Sequence, residues 1–424
     1  MHATDPRPDV MLASRPQATL NSSRAYVAVF VIAMAALAIR MPERLRDGFV
    51  WAEDTVVFLK NAIEQGTPTL WHPYAGYQLV ASRLFALLQS FFPLRWAPYM
   101  LAWENAAITA ACAVYLFGFW QRLTASIALG AVMRGALGLV FALAPLLVPH
   151  IGEVFLSLAN LQWILSVVFL ALLLDVLYLA TDGSMDSHVV RSIMLAMLAL
   201  TGPFVLVFAP IWIPLGARAW MKREAFARGN AVILLVAAAV QLASIGAVGR
   251  MPAPWNVAWP DQFGAYFLAE FFFGNRFFES LKATWPLASL ALLVGLFFGI
   301  RAAAPSLRIV LVVFVVGAAL VWIAGAARVN AQSPGFLPQM LRYRYGLPAG
   351  VLLLWSLVLL AAADARRRWI WAVLLALPIL GTAMHFRVDT WPLWTITEEA
   401  TTGVAQITTP PPPWSTSIRL HPSP

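Results

Sequence analysis

The sequence predicts an all-α polytopic membrane protein of about eleven spans, and three observations carry that expectation. Apolar residues make up 61% of the chain and charged residues only 12%, roughly half the charged fraction of an average soluble domain. The apolar residues fall in long blocks, with neither the alternation of a half-buried strand nor a heptad. The basic residues collect between those blocks, where topology signals belong. In a soluble chain the net charge of +9 would suggest a nucleic-acid partner. Here its placement argues for membrane lipids and against nucleic acid. Only three lysines occur (Lys60, Lys222, Lys282), so arginine carries almost all the positive charge. The single cysteine, Cys112, excludes an internal disulfide and a thiolate metal cluster.

Taken in order, residues 1–24 are polar and proline-containing and read as a disordered cytoplasmic N-terminus. No small-residue cleavage site follows the first apolar segment, so that segment reads as a retained helix. Spans are expected at 25–40, 96–120, 130–149, 156–179, 191–201 paired with 203–217, 230–248, 284–300, 308–327, 346–363 and 369–385. Together they form a transmembrane domain over 25–385, followed by a proline-rich, extended tail over 386–424. Four basic connections fix the orientation: Arg122 with Arg134; Arg218, Lys222, Arg223 and Arg228; Arg301 with Arg308; and Arg366-Arg367-Arg368. All four are cytoplasmic together only if the N-terminus is inside and residues 191–217 cross twice. Proline removes a backbone donor and clashes with the preceding turn. Gly202-Pro203 therefore predicts two short helices meeting at a buried turn. The alternative, one long kinked helix, would leave Arg218–Arg228 outside. On the main count the C-terminus is extracytoplasmic.

That orientation sends 41–95, the turn near 149–155, 249–283 and 328–345 to the outer side. The first of these contains two amphipathic stretches, "TVVFLKNAIEQG" and "YQLVASRLFALLQSFF", which suit helices lying in the interface. Arg83 is on the second. Glu53 and Asp54 precede the first, and the aromatic turn "LWHPYAGYQL" lies between them. Other outer segments bring polar groups to the same layer: His150, Glu153, Asn160 and Trp163 at the start of one span, Asn275, Arg276 and Glu279 in another, and Arg328, Arg342 and Arg344 in the last. Arginine forks suit bidentate phosphate binding. Cations outside, at lipid depth and beside tyrosines, point to an anionic lipid head group.

This arrangement resembles the GT-C superfamily of membrane glycosyltransferases in its bacterial members. The resemblance rests on Glu53-Asp54 in a first outer loop with two surface helices, "PYAGYQL" with Arg83 downstream, "GEVFLSLANLQW", the broken "TGPF" pair and the outer "RYRY". It implies transfer of a sugar from a polyprenyl-phosphate donor to a glycan, lipid or protein acceptor outside the plasma (inner) membrane, with no cofactor. Carried onto this chain, it makes Asp54 the base, with Glu53 its neighbour or alternate. Arg342 and Arg344 would hold the leaving lipid phosphate, and Glu153 and His150 would line the acceptor side. Trp71, Tyr74 and Tyr77 would pack on sugar faces, and Arg276 and Arg328 would add donor-side cations. A carboxylate beside a second negative charge at a low-dielectric surface has a raised pKa, which suits a base.

Plainer roles stand beside these. Asp54 is also a favoured helix N-cap, the tyrosines suit interfacial anchoring, and the outer arginines can snorkel to ordinary head groups. Glu104, inside a span, needs a polar partner or a cavity. Two carboxylates are too few to define a metal site, and no phosphate-cradling glycine loop, HExxH or GxSxG occurs. A transporter or lipid-linked sugar flippase would place its ionisable groups near the midplane rather than at one face, and no internal repeat is visible. A catalytically silent partner subunit would leave the same trace.

Overall fold

In the computed structural model, helices form where the apolar blocks lie, and their ends fall at prolines and basic residues. The structure describes residues 21–149, 152, 154–179, 185–248, 271, 285–330, 344, 346–384, 386–388, 394–399, 404–409 and 415–419. In chain order the helices are α1 Asn21–Arg40, α2 Pro42–Asp47, α3 Lys60–Gln65, α4 Val80–Gln89, α5 Ala97–Leu123, α6 Ala131–Ala142, α7 Ala144–Leu147, α8 Leu161–Leu174 and α9 Met185–Ala199. They continue as α10 Phe204–Val207, α11 Ala209–Met221, α12 Ala225–Val248, α13 Trp285–Ala302, α14 Pro305–Asn330, α15 Gly346–Ala363 and α16 Arg368–Ala383. Prolines open α2, α5, α7, α11 and α14, where the missing donor costs nothing because first-turn N–H groups have no intrahelical partner.

Among the described residues, six helices are long and apolar enough to cross a membrane: Ser23–Arg40, Leu94–Leu123, Leu161–Leu179, Ala225–Ala247, Pro305–Gly325 and Gly346–Ala363. Of the others, α6 and α16 are shorter than the spans expected at 130–149 and 369–385. Burial divides the long ones. The apolar stretches of α8 and α15 are 94% buried within the protein, against 22% for α1. Helices apolar on every side belong at a centre, and α15 packs on α14, α16, α8 and α6. α1 and α12 instead point Val27, Val31, Ile39, Leu235, Val236 and Leu242 outward, a surface suited to lipid. At the centre, Trp355 stacks on Phe141 at 4.3 Å and donates its indole N–H to the Phe141 carbonyl at 2.8 Å.

All four basic connections gather at one end. The α5–α6, α13–α14 and α15–α16 connections border a common cavity. Arg218 lies over the Tyr178 ring, whose hydroxyl donates to the Ser306 carbonyl. At that end Asp175, fully buried, accepts a bidentate pair from Arg122 at 3.1 and 2.9 Å and lies 3.8 Å from Arg191.

Three expectations need correction. The fourth span does not begin at 156, because Val154–Asn160 is a buried run of turns and helix starts only at Leu161. Helix α1 begins at Asn21, ahead of the span expected from residue 25; residues 1–20 lie outside the described residues. The tail is not simply extended. Thr395–Glu399 (β1), Val404–Thr408 (β2) and Ser415–Arg419 (β3) form an antiparallel meander pairing Ile396 with Ile407 and Ala405 with Ile418. Period-two burial on β2 and β3, with Ala405, Ile407 and Ile418 fully inside, turns the sheet's apolar face inward. β3 packs on α3, where Lys60 donates to the Thr416 hydroxyl at 3.3 Å and Glu64 accepts from the Arg419 N–H at 3.2 Å.

Candidate functional site

At the end opposite the arginine-rich one, the first loop folds against the run of turns before α8. Gly48 starts it at φ +79°, with the α5 backbone so close that a Cβ would lie 3.0 Å from Pro98. Phe49 donates its N–H to the Pro98 carbonyl at 2.9 Å. The chain then enters a π-helical turn, Asp54–Leu59, before α3, a form that recurs at functional sites.

Asp54 has no exposed surface. One carboxylate oxygen accepts from the Ala159 N–H at 2.8 Å and the Ser157 hydroxyl at 3.2 Å, and the other from the Trp51 N–H at 3.0 Å. Burial raises its pKa to about 7; the Ala159 and Trp51 N–H groups and the Ser157 hydroxyl oppose that rise, and the Glu53 charge adds to it. Asp54 thus has the elevated pKa expected of it, and it also ties the first loop to the turns before α8.

Those turns need such ties, since irregular backbone without water must find partners inside the protein. Arg44, buried, donates to the Gly152 carbonyl at 3.1 Å and the Phe155 carbonyl at 3.4 Å and stacks over Phe49 at 4.2 Å. The Ser82 hydroxyl donates to the Leu158 carbonyl at 2.7 Å, and Gln162 to the Ala159 carbonyl at 3.1 Å. Leu156 is held at φ +62°, a strained conformation for leucine, between the residues that Arg44 and Asp54 grip.

Glu53, half-buried, faces the other way. One oxygen accepts from the Tyr74 hydroxyl at 3.3 Å, while the other, Oε2, is buried with no hydrogen-bond partner among the described residues. Tyr74 and Tyr77 flank a tight hairpin turn whose central residues, Ala75 and Gly76, both have positive φ (51° and 86°) and whose backbones bond each other at 2.9 and 3.1 Å. That is the pattern of a type I′ turn. Burial and the Glu53 charge push the Tyr74 pKa well above its ordinary value, while Arg344 pulls it down. Arg344 also donates to the Asn160 side-chain carbonyl at 3.2 Å. Phe58 meets Tyr74 edge-to-face at 5.5 Å and lies beneath the Arg83 guanidinium at 5.3 Å. Arg83 is 2% exposed, and neither its Nε nor its Nη1 has a hydrogen-bond partner among the described residues. Burial lowers its pKa to about 10.

Of the residues singled out from sequence, Glu53, Asp54, Tyr77, Arg83 and Arg344 therefore come together in one layer. His150, Glu153, Arg276 and Arg342 lie outside the described residues, and Arg328 falls in the last turn of α14. Trp71 is 61% exposed, and its carbonyl accepts from the Gln78 side chain at 3.2 Å. Glu104 accepts from Gln89 at 2.6 Å. Sequence reasoning missed the polar hub of the broken pair. Gly202, at φ +87°, donates its N–H to the Gln78 carbonyl at 2.8 Å, and Gln241 of α12 donates to the Gly202 carbonyl at 2.9 Å while accepting from the Gln78 N–H at 2.8 Å. A glutamine inside an apolar span, with Ser244 one turn on, was the available signal. It also missed Arg40, at the end of α1, and Arg44, in α2, both buried.

The cluster can do two things chemically. A carboxylate oxygen without a partner can take a proton, and two arginines in the same layer can hold an anion. Among the described residues no group of three His, Cys, Asp or Glu converges as a metal ion would require. No protein-family model matches the chain, and no curated protein or solved structure does either.

Proposed function

We propose that the protein is a membrane glycosyltransferase of the GT-C type, transferring a sugar from a polyprenyl-phosphate carrier to an acceptor hydroxyl on the extracytoplasmic face of the plasma membrane. The observation that carries this reading is the convergence of Glu53, Tyr74, Arg344 and Arg83 around one outer-end layer where, among the described residues, Glu53 Oε2 has no hydrogen-bond partner and buried Arg83 meets no acid. In this reading the acceptor O–H gives its proton to a carboxylate, and its oxygen bonds to the anomeric carbon. The bond from that carbon to the phosphate oxygen breaks, and the arginines take up the charge on the departing lipid phosphate. Of the two adjacent carboxylates, Glu53 suits contact with the acceptor. Asp54, enclosed by three donors, suits positioning the loop. Arg342, beside Arg344 in the chain, completes the phosphate clamp.

The gathering of all four basic connections at one end supports eleven crossings, the shorter helices included, with that end cytoplasmic. The C-terminal sheet is then extracytoplasmic, resting on α3 beside the site.

The test is transfer from synthetic polyprenyl-phosphate sugars by the purified full chain, wild type beside Glu53→Gln and Asp54→Asn. Loss of transfer in Glu53→Gln, with unfolding temperature unchanged, is the expected result. Full transfer in both variants would remove the first loop from the chemistry. No transfer by the wild type across a panel of polyprenyl-phosphate sugars and hydroxyl acceptors would end the reading.

A further inference from the structure

The end of the bundle opposite the candidate site contains a cavity of about 450 Å³. It lies beyond the far ends of α5 and α15, helices of 27 and 18 residues, so roughly 27 Å or more separates it from the outer layer. Three connections build it: Ser126 and Ile127 after α5, Ala304 and Ser306 at the start of α14, and Asp364 and Arg366 between α15 and α16. The floor is apolar and made largely of alanines, with Leu307 and Leu360.

Its polar lining consists mainly of unengaged donors. The Arg366 guanidinium and the Ser126 and Ser306 hydroxyls form no side-chain hydrogen bond among the described residues. The one acid, Asp364, is already occupied, accepting from the Arg367 N–H at 3.1 Å and the Trp371 indole at 3.3 Å. Around the rim, Arg308 and Arg368 cap the carbonyl ends of α13 and α15, while Arg301 and Arg367 stay exposed. Residues 301–308 and 364–368 together carry five arginines against one aspartate. Such a cavity selects an anion with oxygen acceptors.

The wall beside it selects the kind of anion. Along α13, leading away from the cavity, Leu290, Leu293, Phe297 and Phe298 are each at least half exposed. A soluble phosphate ester has no use for such a face, whereas acyl chains do.

We propose that this cavity holds the head group of an anionic membrane phospholipid, its phosphodiester meeting Arg366, Ser126 and Ser306 and its acyl chains lying along α13. This inference concerns the far end of the molecule and does not rest on the glycosyltransferase reading.

The experiment uses the full chain, delipidated in neutral detergent and titrated with phosphatidylglycerol, phosphatidylcholine or soluble glycerol phosphate. Bound lipid is counted by native mass spectrometry and unfolding temperature is followed in parallel. Phosphatidylglycerol is expected to bind about tenfold more tightly than phosphatidylcholine and to raise the unfolding temperature. The double variant Arg301→Gln with Arg366→Gln should lose most of that roughly tenfold preference. Ala304→Trp, which fills the cavity and keeps every charge, should lose it as well. Lys222→Ala, exposed at the same end outside the cavity, should keep it. Equal binding of the two lipids overturns the proposal, as does a preference that survives both cavity variants or disappears equally in Lys222→Ala. Protection by glycerol phosphate as strong as by the lipid overturns the lipid assignment in favour of a free phosphate ester.

Discussion

Two aspartates, Asp54 and Asp175, are each fully buried at opposite ends of the bundle, and the protein treats them in opposite ways. Asp175 sits in a π-helical turn that extends α8 and receives two arginines, one of them bidentate at 3.1 and 2.9 Å. Asp54 sits in a π-helical turn of the first loop and, among the described residues, receives only neutral donors, with the negative charge of Glu53 beside it. In the outer layer Arg83 lies over the Phe58 ring and Arg344 donates to the Asn160 side chain. A buried carboxylate given its counter-ions is a latch. One held by dipoles alone keeps a titratable proton.

The comparison is tested most strongly through Glu53. On the proposed reading, Glu53→Gln should lower transfer about 10²–10⁴-fold while thermal unfolding in detergent stays within a degree or two of wild type. Asp175→Ala should act on stability instead. Breaking a buried pair by removing one partner costs about 3–5 kcal/mol, and the lower end applies because Arg122 keeps 29% of its side chain exposed. Denaturant unfolding measures it. Asp54→Asn is intermediate, because its amide cannot accept from the Ala159, Ser157 and Trp51 donors together. About 1–3 kcal/mol should be lost, the cost of one orphaned buried donor. Arg83→Met should go the other way, stabilising the fold by about 1 kcal/mol because an unpaired buried cation is removed, while weakening donor binding.

The smallest effect is in pH. The folded protein holds the Asp54 proton up to about pH 7, whereas an ordinary aspartate releases it near 3.8. Between those values the folded state binds more protons than the unfolded one, so this group's contribution to stability falls as pH rises from about 4 to 7 and levels off above. Unfolding temperatures between pH 4 and 8 should show that slope in wild type and a flatter one in Asp54→Asn. An equal slope in both would mean Asp54 stays ionised throughout.

Much of this was legible in the sequence. The predominance of apolar helices followed from composition, since a block of apolar residues has few alternatives to a buried or lipid-facing helix. The break at Gly202-Pro203 followed from proline's missing donor, and the elevated pKa of Asp54 from a carboxylate beside a like charge at a low-dielectric surface. The meeting of Glu53 with Tyr74 did not follow, because it depends on a hairpin turn with Ala75 at positive φ, which no propensity favours. Nor did the late start of α8 at Leu161. By pattern, "GEVFLSLANLQW" continues a helix, and only the competing bonds from Arg44, Asp54 and Ser82 hold Val154–Asn160 in turns.

Local composition and covalent stiffness thus determined a mostly helical chain and its break at Gly202-Pro203, because burying apolar blocks and satisfying backbone donors are decided within a few residues. Tertiary structure alone decided which buried carboxylate received arginines. The partners of each carboxylate are settled between residues separated by 53 positions for Arg122 and Asp175, and by 103 for Asp54 and Ser157, and no local pattern records such a distance.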